Sequence, residues 1–196
     1  MKSNKWLERN KKDIFVKNAK LKGYLSRSAF KLIEIDDKFN LIGESINILE
    51  LGSSPGGWSQ VICDRNNISE VYCFDIKKME YKNKQIKFFK KNFMEFDFKN
   101  LKKKYDLILS DSAPNTTGHK STDHLRIVTL IEKIINIVEN YMQKKGNLIF
   151  KIWKGSQEKT IYEILKKKFK KVSYFKPKSS RQKSSEIYII AQEYFF

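Results

Sequence analysis

The sequence predicts an α/β fold, a doubly wound and mostly parallel sheet of seven strands that ends in a C-terminal antiparallel hairpin. Apolar, β-branched runs alternate along the chain with segments whose apolar residues recur at helical spacing, which is the pattern of βαβ units. The last two strand-like runs follow one another without a helix, so we expect that pair to be antiparallel. The strands are predicted at 46–51, 71–76, 86–89, 106–110, 147–153, 172–175 and 186–191.

Four helices are predicted between these strands, at 28–39, 58–65, 123–142 and 157–169. In the third, apolar residues recur at helical spacing from Leu125 to Met142, and Asp123 is its predicted N-cap. No repeat, Pro/Gly-rich linker or change in composition divides the chain. A chain of 196 residues is long enough for one core and short for two, so we expect a single domain over 1–196, with a basic and flexible RNA-binding segment at 1–27.

The chain carries a formal net charge of +18, from 40 Lys and Arg against 22 Asp and Glu. Residues 1–31 hold ten basic residues against two acidic ones, and residues 166–183 hold nine basic residues and no acidic one. A general use of lysine on the surface explains part of this excess. Two nearly uncompensated segments at opposite ends of the chain still indicate nucleic-acid binding, because neutralising phosphates releases counterions.

Other features exclude several classes of protein. No apolar run approaches the roughly 18 residues of a membrane span and no hydrophobic signal segment opens the chain, so we expect a soluble, intracellular monomer with no membrane partner. The basic N-terminal residues leave mitochondrial, other organellar, nucleolar and cytoplasmic locations open. Cys63 and Cys73 lack partners at metal-ligand spacing, and His119, Asp123 and His124 lack a further Cys or His, so no metal site is predicted.

A glycine-rich segment, ELGSSPGGW at 50–58, follows the first predicted strand and opens a helix. Glycines let the backbone pass close to a ligand, and the free amides of a helix start favour polar or anionic groups. The segment is not a P-loop, because no Gly-Lys-Ser/Thr follows. It is not G-x-G-x-x-G either, because Ser54 occupies the place of the second glycine. Nucleoside triphosphate and NAD sites are therefore disfavoured.

Polar residues after the next two strands predict an adenosine site. Asp75 ends the second predicted strand, 23 residues beyond Gly52, where a carboxylate of a doubly wound fold accepts hydrogen bonds from ribose hydroxyls. Asn92 and Phe93 follow the third strand, where an amide and an apolar edge suit an adenine. Asp97 is the alternative residue for that contact.

Five segments of the chain together form a specific pattern. They read SRSAFKL at 26–32, LGSSPGGWSQ at 51–60, SDSAPNTTG at 110–118, FK at 150–151, and KP at 176–177 followed by SEIY at 185–188. Through these segments the chain resembles the FtsJ/RrmJ family of S-adenosylmethionine-dependent ribose 2′-O-methyltransferases, which act on large-subunit ribosomal RNA. The resemblance covers nearly the whole chain. The predicted sheet agrees, since its shape is typical of the Rossmann-like class I methyltransferases.

The resemblance implies S-adenosylmethionine as the cofactor, with contacts at Gly56, Trp58, Asp75 and position 92. The family usually carries Asp at that last position, where this chain has Asn92. Together with the residues around the glycine turn, the predicted cofactor site comprises Gly52, Ser54, Pro55, Gly56, Gly57, Trp58, Asp75, Asn92, Phe93 and Asp111.

The resemblance also implies a catalytic tetrad at Lys31, Asp111, Lys151 and Glu186. Asp111 follows a predicted buried strand, and the carboxyl ends of parallel strands converge at the ligand-binding edge. Lys151 interrupts an apolar strand, where a lysine costs desolvation unless it is paired or functional. The resemblance alone singles out Lys31, one basic residue among ten, and Glu186, which could merely neutralise Lys183. We expect Asp111 and Glu186 to orient Lys151, as general base or as holder of the acceptor oxygen, while Lys31 positions the ribose or its phosphate.

A ribose 2′-hydroxyl acceptor implies RNA as the partner, because DNA lacks that group. The form of residues 113–118 and the compact length favour methylation of a uridine in ribosomal RNA or the ribosomal large subunit over the transfer RNA branch. A non-catalytic RNA-binding ribosome-assembly factor and a nicotinamide-dependent oxidoreductase are the alternatives, which methyl-transfer and cofactor-binding assays separate. The basic N-terminal segment and residues 166–183 are expected to hold phosphates on either side of the site.

Overall fold

The computed structural model describes residues 13–114, 118–155 and 157–196. The strands of this part are β1 (Asn47–Leu51), β2 (Glu70–Phe74), β3 (Ile86–Phe89), β4 (Tyr105–Ser110), β5 (Met142–Trp153), β6 (Phe169–Phe175) and β7 (Glu186–Tyr194). The helices are α1 (Ile14–Leu21), α2 (Ala29–Phe39), α3 (Gly57–Arg65), α4 (Lys120–Tyr141) and α5 (Gln157–Lys166), with a 3₁₀ turn at Phe98–Leu101. Every predicted strand and helix is present.

The strands form one sheet in the order β3-β2-β1-β4-β5-β7-β6. The first five strands run parallel, whereas β7 pairs antiparallel with both β5 and β6. The predicted fold, a mostly parallel sheet with a C-terminal antiparallel pair, is therefore confirmed. Because β7 lies between β5 and β6, its first residue, Glu186, is brought beside the carboxyl end of β5.

Helices cover both faces of the sheet. On one face, α4 and α5 bury Ile134 and Leu165 against the strands. On the other face, α2 and α3 bury Leu32 and Ile62. The central strands supply apolar residues to both cores, which explains why they read as nearly continuous apolar runs in the sequence.

The sequence does not predict helix α1. This helix has only eight residues and buries only Ala19, so it spans too few turns for its apolar pattern to identify it. Asp13 caps it, accepting a hydrogen bond from the backbone N of Phe15 at 3.1 Å. The helix belongs to the basic segment predicted at 1–27, of which residues 1–12 lie outside the described part.

Helix α4 begins at Lys120, so the prediction of Asp123 as its N-cap is wrong. The N-cap is His119, and Asp123 lies in the first turn. The Asp123 carboxylate instead accepts a hydrogen bond from the backbone N of Gly118 at 3.1 Å. An acidic residue satisfies amides near a helix start from more than one position, and the sequence does not distinguish between these positions.

Strand β5 begins at Met142 rather than at 147, and an irregularity interrupts its pairing with β4 between these two residues. The first pair is Tyr105 with Met142, and the next is Leu107 with Asn147. Between them Lys145 adopts a positive φ of 64°. The regular part of β5 thus starts where the sequence predicts the strand.

The carboxyl ends of β1 and β4 lie side by side, with Leu51 opposite Ser110. The chain leaves β1 toward α3 on one face of the sheet and leaves β4 toward α4 on the other. Such a change of direction opens a crevice at the carboxyl edge of the sheet, where ligands of doubly wound folds bind. The glycine turn and Asp111 both begin at this crevice.

One carboxyl group is buried just below this edge. Glu50 of β1 is 2% exposed, and it accepts hydrogen bonds from Ser59 Oγ at 2.5 Å and from Cys73 Sγ at 3.5 Å. Burial raises the pKa of Glu50 to about 8, because the two hydrogen bonds only partly offset the desolvation of the charged form. Glu50 is therefore mainly protonated at neutral pH in the folded protein.

Replacing Glu50 with Gln should flatten the pH dependence of stability. The pKa of Glu50 is higher in the folded than in the unfolded state, so stability falls as pH rises between about 4.5 and 8. From pH 6 to pH 8 this group costs the wild type about 2 kcal/mol. Urea unfolding of the wild type and Glu50→Gln at both pH values measures that difference. An equal fall in both proteins would contradict a neutral buried carboxyl.

Candidate active site

The four residues predicted as a catalytic tetrad lie together at the carboxyl edge of the sheet. Asp111 directly follows β4, Lys151 lies near the end of β5, Glu186 opens β7, and Lys31 comes from α2. Their side chains are mostly buried, with between 11% and 18% of each exposed. The fold thus assembles one cluster from residues that are far apart in the sequence.

The tetrad consists of two ion pairs. Lys151 Nζ lies 2.9 Å from Asp111 Oδ1 and also donates to the backbone oxygen of Asp111 at 2.6 Å. Lys31 Nζ lies 2.6 Å from Glu186 Oε1. We expected both carboxylates to orient Lys151. In the structure only Asp111 contacts it, whereas Glu186 is paired with Lys31.

Tyr188 is a further member of the site, and the sequence pattern assigned it no role. Its hydroxyl donates to Asp111 Oδ1 at 2.7 Å, and its ring lies 5.7 Å from Lys31 Nζ. The ring also packs against Trp58, with 5.9 Å between the ring centroids. Tyr188 lies opposite Lys151 in the β5–β7 register and two residues after Glu186. Strand alternation puts it on the same face as Glu186, and that spacing is a signal from which it could have been found.

Asp111 is ionised in spite of its burial. Burial alone would raise the pKa of its carboxyl. The charges of Lys151 and Lys31 and the hydrogen bond from Tyr188 outweigh that effect, so the pKa lies below its ordinary value. Burial and the negative charges of Asp111 and Glu186 hold the pKa of Tyr188 well above its ordinary value. Tyr188 therefore stays a neutral hydroxyl donor to an anionic acceptor.

A cavity of about 620 Å³ opens at the crevice beside Asp111, and we name it the switch-point cavity. Of the predicted cofactor residues, it is lined by Gly52, Ser54, Asp75, Asn92, Phe93 and Asp111. Phe93, Met94 and Leu130 form an apolar wall. The volume lies within the ordinary range of small-molecule sites, and an apolar wall combined with polar groups that fix the ligand is typical of them.

Asp75 is held in a fixed orientation at the rim of this cavity. Its Oδ2 accepts a hydrogen bond from the backbone N of Ser54 at 2.9 Å, and its Oδ1 accepts one from the backbone N of Lys77 at 2.8 Å. A carboxylate offers about four acceptor positions, so each oxygen can still accept one hydroxyl. The two adjacent hydroxyls of a ribose fit that requirement.

Asn92 lines the switch-point cavity, whereas Asp97 is not among the residues that line it. Asn92 Oδ1 accepts from the backbone N of Met94 at 3.1 Å, and its Nδ2 donates to Glu95 Oε1 at 2.8 Å. Asp97 instead caps the 3₁₀ turn, accepting from the backbone N of Lys99 at 3.0 Å. A contact between Asn92 and an adenine stays a prediction, which the position of Asn92 favours over Asp97.

The structure keeps the other predicted cofactor residues, Pro55, Gly56, Gly57 and Trp58, out of the lining of this cavity. A Cβ on Gly56 would lie 2.5 Å from Tyr81 Cβ, and one on Gly57 would lie 2.1 Å from Ser26 Oγ. The indole N of Trp58, itself a buried residue, donates to a backbone carbonyl of the turn before α2. Gly56, Gly57 and Trp58 thus pack closely against their own protein, and a contact between these residues and a cofactor stays a prediction.

A second cavity, of about 570 Å³, touches the tetrad at Lys31 and Glu186, and we name it the α2-side cavity. Its lining also includes Pro55 and three basic residues, Lys20, Arg27 and Arg181. Asp13 forms ion pairs with both Arg27 and Arg181. Cations outnumber carboxylates around this cavity, so it suits an anionic ligand.

The basic residues at 166–183 fall into two groups in the structure. Residues 176–183 lie in the connection from β6 to β7, beside the tetrad, and Arg181 lines the α2-side cavity. The other residues lie toward the end of β7 that is far from Glu186. There Lys171 is opposite Gln192 in the strand register, and Lys170 Nζ lies 2.8 Å from Glu193 Oε2. The expectation that the whole segment flanks the site is therefore wrong for 166–171, because β6 begins at the far end of β7 from Glu186 and only its last residues reach the site.

Residues 13–114, 118–155 and 157–196 contain neither a cluster of metal-binding side chains nor a membrane-spanning helix. In these ranges no three or more His, Cys, Asp or Glu side chains are grouped so that they could hold a metal ion. None of the helices described there is both long and apolar enough to span a bilayer. Cys63 and Cys73 are buried free thiols.

Gly52→Ala should destabilise the protein and distort the switch-point cavity. Gly52 has a φ of +85°, and an added Cβ would lie 2.1 Å from Ser112 Oγ. Backbone strain in this region costs roughly 1–3 kcal/mol, and the overlap with Ser112 adds to it. Gly155→Ala is the matched control, because a Cβ added there would have no atom within 4 Å and its φ is not positive. Thermal unfolding of both variants tests this, and equal stability would contradict it.

Comparison with known proteins identifies relatives over almost the entire chain. The Ribosomal RNA large subunit methyltransferase E of Ehrlichia chaffeensis is 41% identical, over 97% of this chain and 92% of its own length. The protein of the same name from Wolbachia sp. subsp. Brugia malayi is 42% identical, over 96% of this chain and 87% of its own.

Solved structures agree with the sequence relatives. A crystal structure from Plasmodium falciparum, assigned to a ribosomal RNA methyltransferase, superposes with a TM-score of 0.76 at 32% identity, covering 88% of this chain and 99% of that one. The N-methyltransferase NodS from Bradyrhizobium japonicum, at 13% identity and a TM-score of 0.56, shares the fold alone. The FtsJ-like methyltransferase family model matches residues 24–194. The chain therefore belongs to the FtsJ-like methyltransferase family.

Proposed function

We propose that this chain is an RNA methyltransferase that moves a methyl group from S-adenosylmethionine to a ribose 2′-hydroxyl of large-subunit ribosomal RNA. The observation that carries the proposal is a paired, mostly buried tetrad that touches two cavities of different character. The switch-point cavity has an anchored carboxylate and an apolar wall. The α2-side cavity is basic. The first suits a nucleoside-containing methyl donor and the second suits an RNA strand.

The residues of the switch-point cavity fit S-adenosylmethionine, on which methyltransferases of this family depend in general. Asp75 would accept the ribose hydroxyls, while Phe93 and Asn92 would contact the adenine. When bound, this cofactor supplies a methyl group that its sulfonium already activates. Asp111 lines the same cavity, so the tetrad borders the space that the reacting end of the cofactor would need.

The α2-side cavity fits the acceptor strand. Lys31, Arg27 and Arg181 line it, and cations beside a reacting ribose attract the flanking phosphates. Glu186 neutralises part of the charge of Lys31 through their ion pair. The relatives at 41% and 42% identity carry names that place their activity on large-subunit ribosomal RNA, which supports the same substrate here.

The reaction needs alignment more than it needs activation, because the acceptor oxygen must meet the methyl group in line and lose one proton. Among the described residues, Lys151 uses two of its three N–H donors on Asp111. The third can hold one lone pair of the acceptor oxygen while the other lone pair attacks. Formation of the new C–O bond would accompany cleavage of the methyl–sulfur bond of the cofactor, and the hydroxyl proton would leave to water. The close pairing with Asp111 favours this orienting role over the role of general base.

Lys151→Met should abolish methyl transfer while RNA binding persists. Removing a group that aligns the reacting oxygen lowers kcat by about 100-fold or more. Labelled cofactor and a large-subunit RNA fragment measure transfer, and filter binding measures affinity. The exposed Lys154→Met is the matched control. A fragment with 2′-deoxy substitution at the methylated nucleotide should accept no label. Full activity of Lys151→Met, or label on the deoxy RNA, would refute the proposed chemistry.

Neutralising basic residues near the site should weaken RNA binding in a salt-dependent way. Lys178 and Lys183 are exposed in the connection that borders the tetrad, whereas Lys166 and Lys171 are exposed at the other end of β6. Removing one contact to a phosphate lowers the slope of log K against log salt by about 0.7 to 0.9. We expect Lys178→Gln with Lys183→Gln to reduce the slope by the equivalent of one or two phosphates. The pair Lys166→Gln with Lys171→Gln controls for charge, and an equal effect of both pairs would show that proximity to the site is irrelevant.

A further inference from the structure

The connection from β6 to β7 is fastened to α2 through its backbone. Glu34 accepts hydrogen bonds from the backbone N of Lys178, at 2.5 Å to Oε2, and of Ser179, at 2.8 Å to Oε1. Arg27 donates to the backbone oxygen of Ser179. One carboxylate and one guanidinium thus bind the same short stretch of backbone from the side of α2.

The same stretch of backbone leads into a contact with the tetrad. Ser180, which is 6% exposed, donates from its Oγ to Glu186 Oε1 at 3.0 Å. That oxygen is also the one paired with Lys31 Nζ at 2.6 Å. Two donors from different elements therefore fix one oxygen of the Glu186 carboxylate and leave the other without either contact.

These contacts close a ring. Lys31 and Glu34 are three residues apart on α2, so their side chains lie on the same face of the helix. Lys31 contacts Glu186, and Glu186 contacts Ser180. The backbone N of the residue before Ser180 donates to Glu34, which completes the ring. Every link is a charged or hydrogen-bonded contact between partly buried groups, which rigid packing keeps in a single arrangement.

We propose that Glu34 and Ser180 are positioning residues for the Lys31–Glu186 pair, and so for the acceptor side of the site. The inference rests on the proposed function. It adds two residues that act through Glu186 and do not touch the reacting atoms themselves. Glu34 fixes the connection, Ser180 transmits that position to Glu186, and Glu186 sets where Lys31 lies. Without the Glu34 carboxylate, the connection loses two backbone hydrogen bonds and the carboxylate of Glu186 gains rotational freedom.

The first experiment compares the wild type with Glu34→Gln, using Glu44→Gln, an exposed position, as the matched control. We expect Glu34→Gln to lower kcat about 10-fold with KM for RNA changed less than twofold, because the charged acceptor of two amides is weakened. Hydrogen exchange of residues 176–185 should become faster in Glu34→Gln and stay unchanged in Glu44→Gln. Unchanged kcat, or unchanged exchange, overturns the proposal.

The second experiment tests the hydroxyl of Ser180. Ser180→Ala should lower kcat by a similar factor, and Ser180→Thr, which keeps the hydroxyl, should restore most of it. Ser179→Ala is the matched control, because Ser179 is fully buried and its Oγ has no hydrogen-bond partner among the described residues. Equal losses in Ser179→Ala and Ser180→Ala would mean that general packing is responsible, and the assignment of Ser180 would be wrong.

A double-variant cycle separates positioning from a general loss of stability. If Glu34 acts only through Glu186, then Glu34→Gln should cost no further kcat once Glu186→Gln is present. Additive losses overturn the proposal. The failure of the proposed function looks different, because the wild type itself would then transfer no methyl group to RNA. Wild-type turnover that is insensitive to Glu34→Gln refutes the positioning role alone.

Discussion

The pairing of buried charges is the constraint on which the carboxyl edge of this sheet depends. Lys151 and Asp111 lie where an isolated charge would be strongly destabilising, so each is tolerated because the other is within ion-pair distance. The same holds for Lys31 and Glu186. The direction of β7 makes this second pair possible. Because β7 runs antiparallel to β5, its first residue, and not its last, lies at the edge where the parallel strands end.

The conformation of the glycine turn is constrained by close packing against the rest of the protein. Gly52, Gly56 and Gly57 each face a neighbouring group so closely that a Cβ would overlap it. Close packing of the turn brings the backbone N of Ser54 onto the Asp75 carboxylate. The orientation of that carboxylate, and with it the shape of the switch-point cavity, is therefore a consequence of packing.

Sequence reasoning predicted part of the site for reasons that the structure bears out. Asp111 follows a buried strand and Lys151 interrupts one, and both features place a charged group at the ligand-binding edge. Lys31 has no such local signal, since it is one lysine among many, and its place in the tetrad came from resemblance to a family. Tyr188 was missed because an apolar-looking tyrosine in a buried strand reads as core until its hydroxyl is seen to contact a carboxylate.

Local periodicity and turn residues are enough to predict the alternation of strands and helices, the antiparallel ending and the positions of charged residues at strand ends. The pairing of Glu186 with Lys31 rather than with Lys151 is visible only in the folded chain. The same is true of the position of Asn92 rather than Asp97 at the switch-point cavity, and of the distance of 166–171 from the site. Such outcomes depend on which elements meet in space and on the directions of their side chains. Alternative partners differ in position by only a few ångströms, and local sequence does not predict differences of that size.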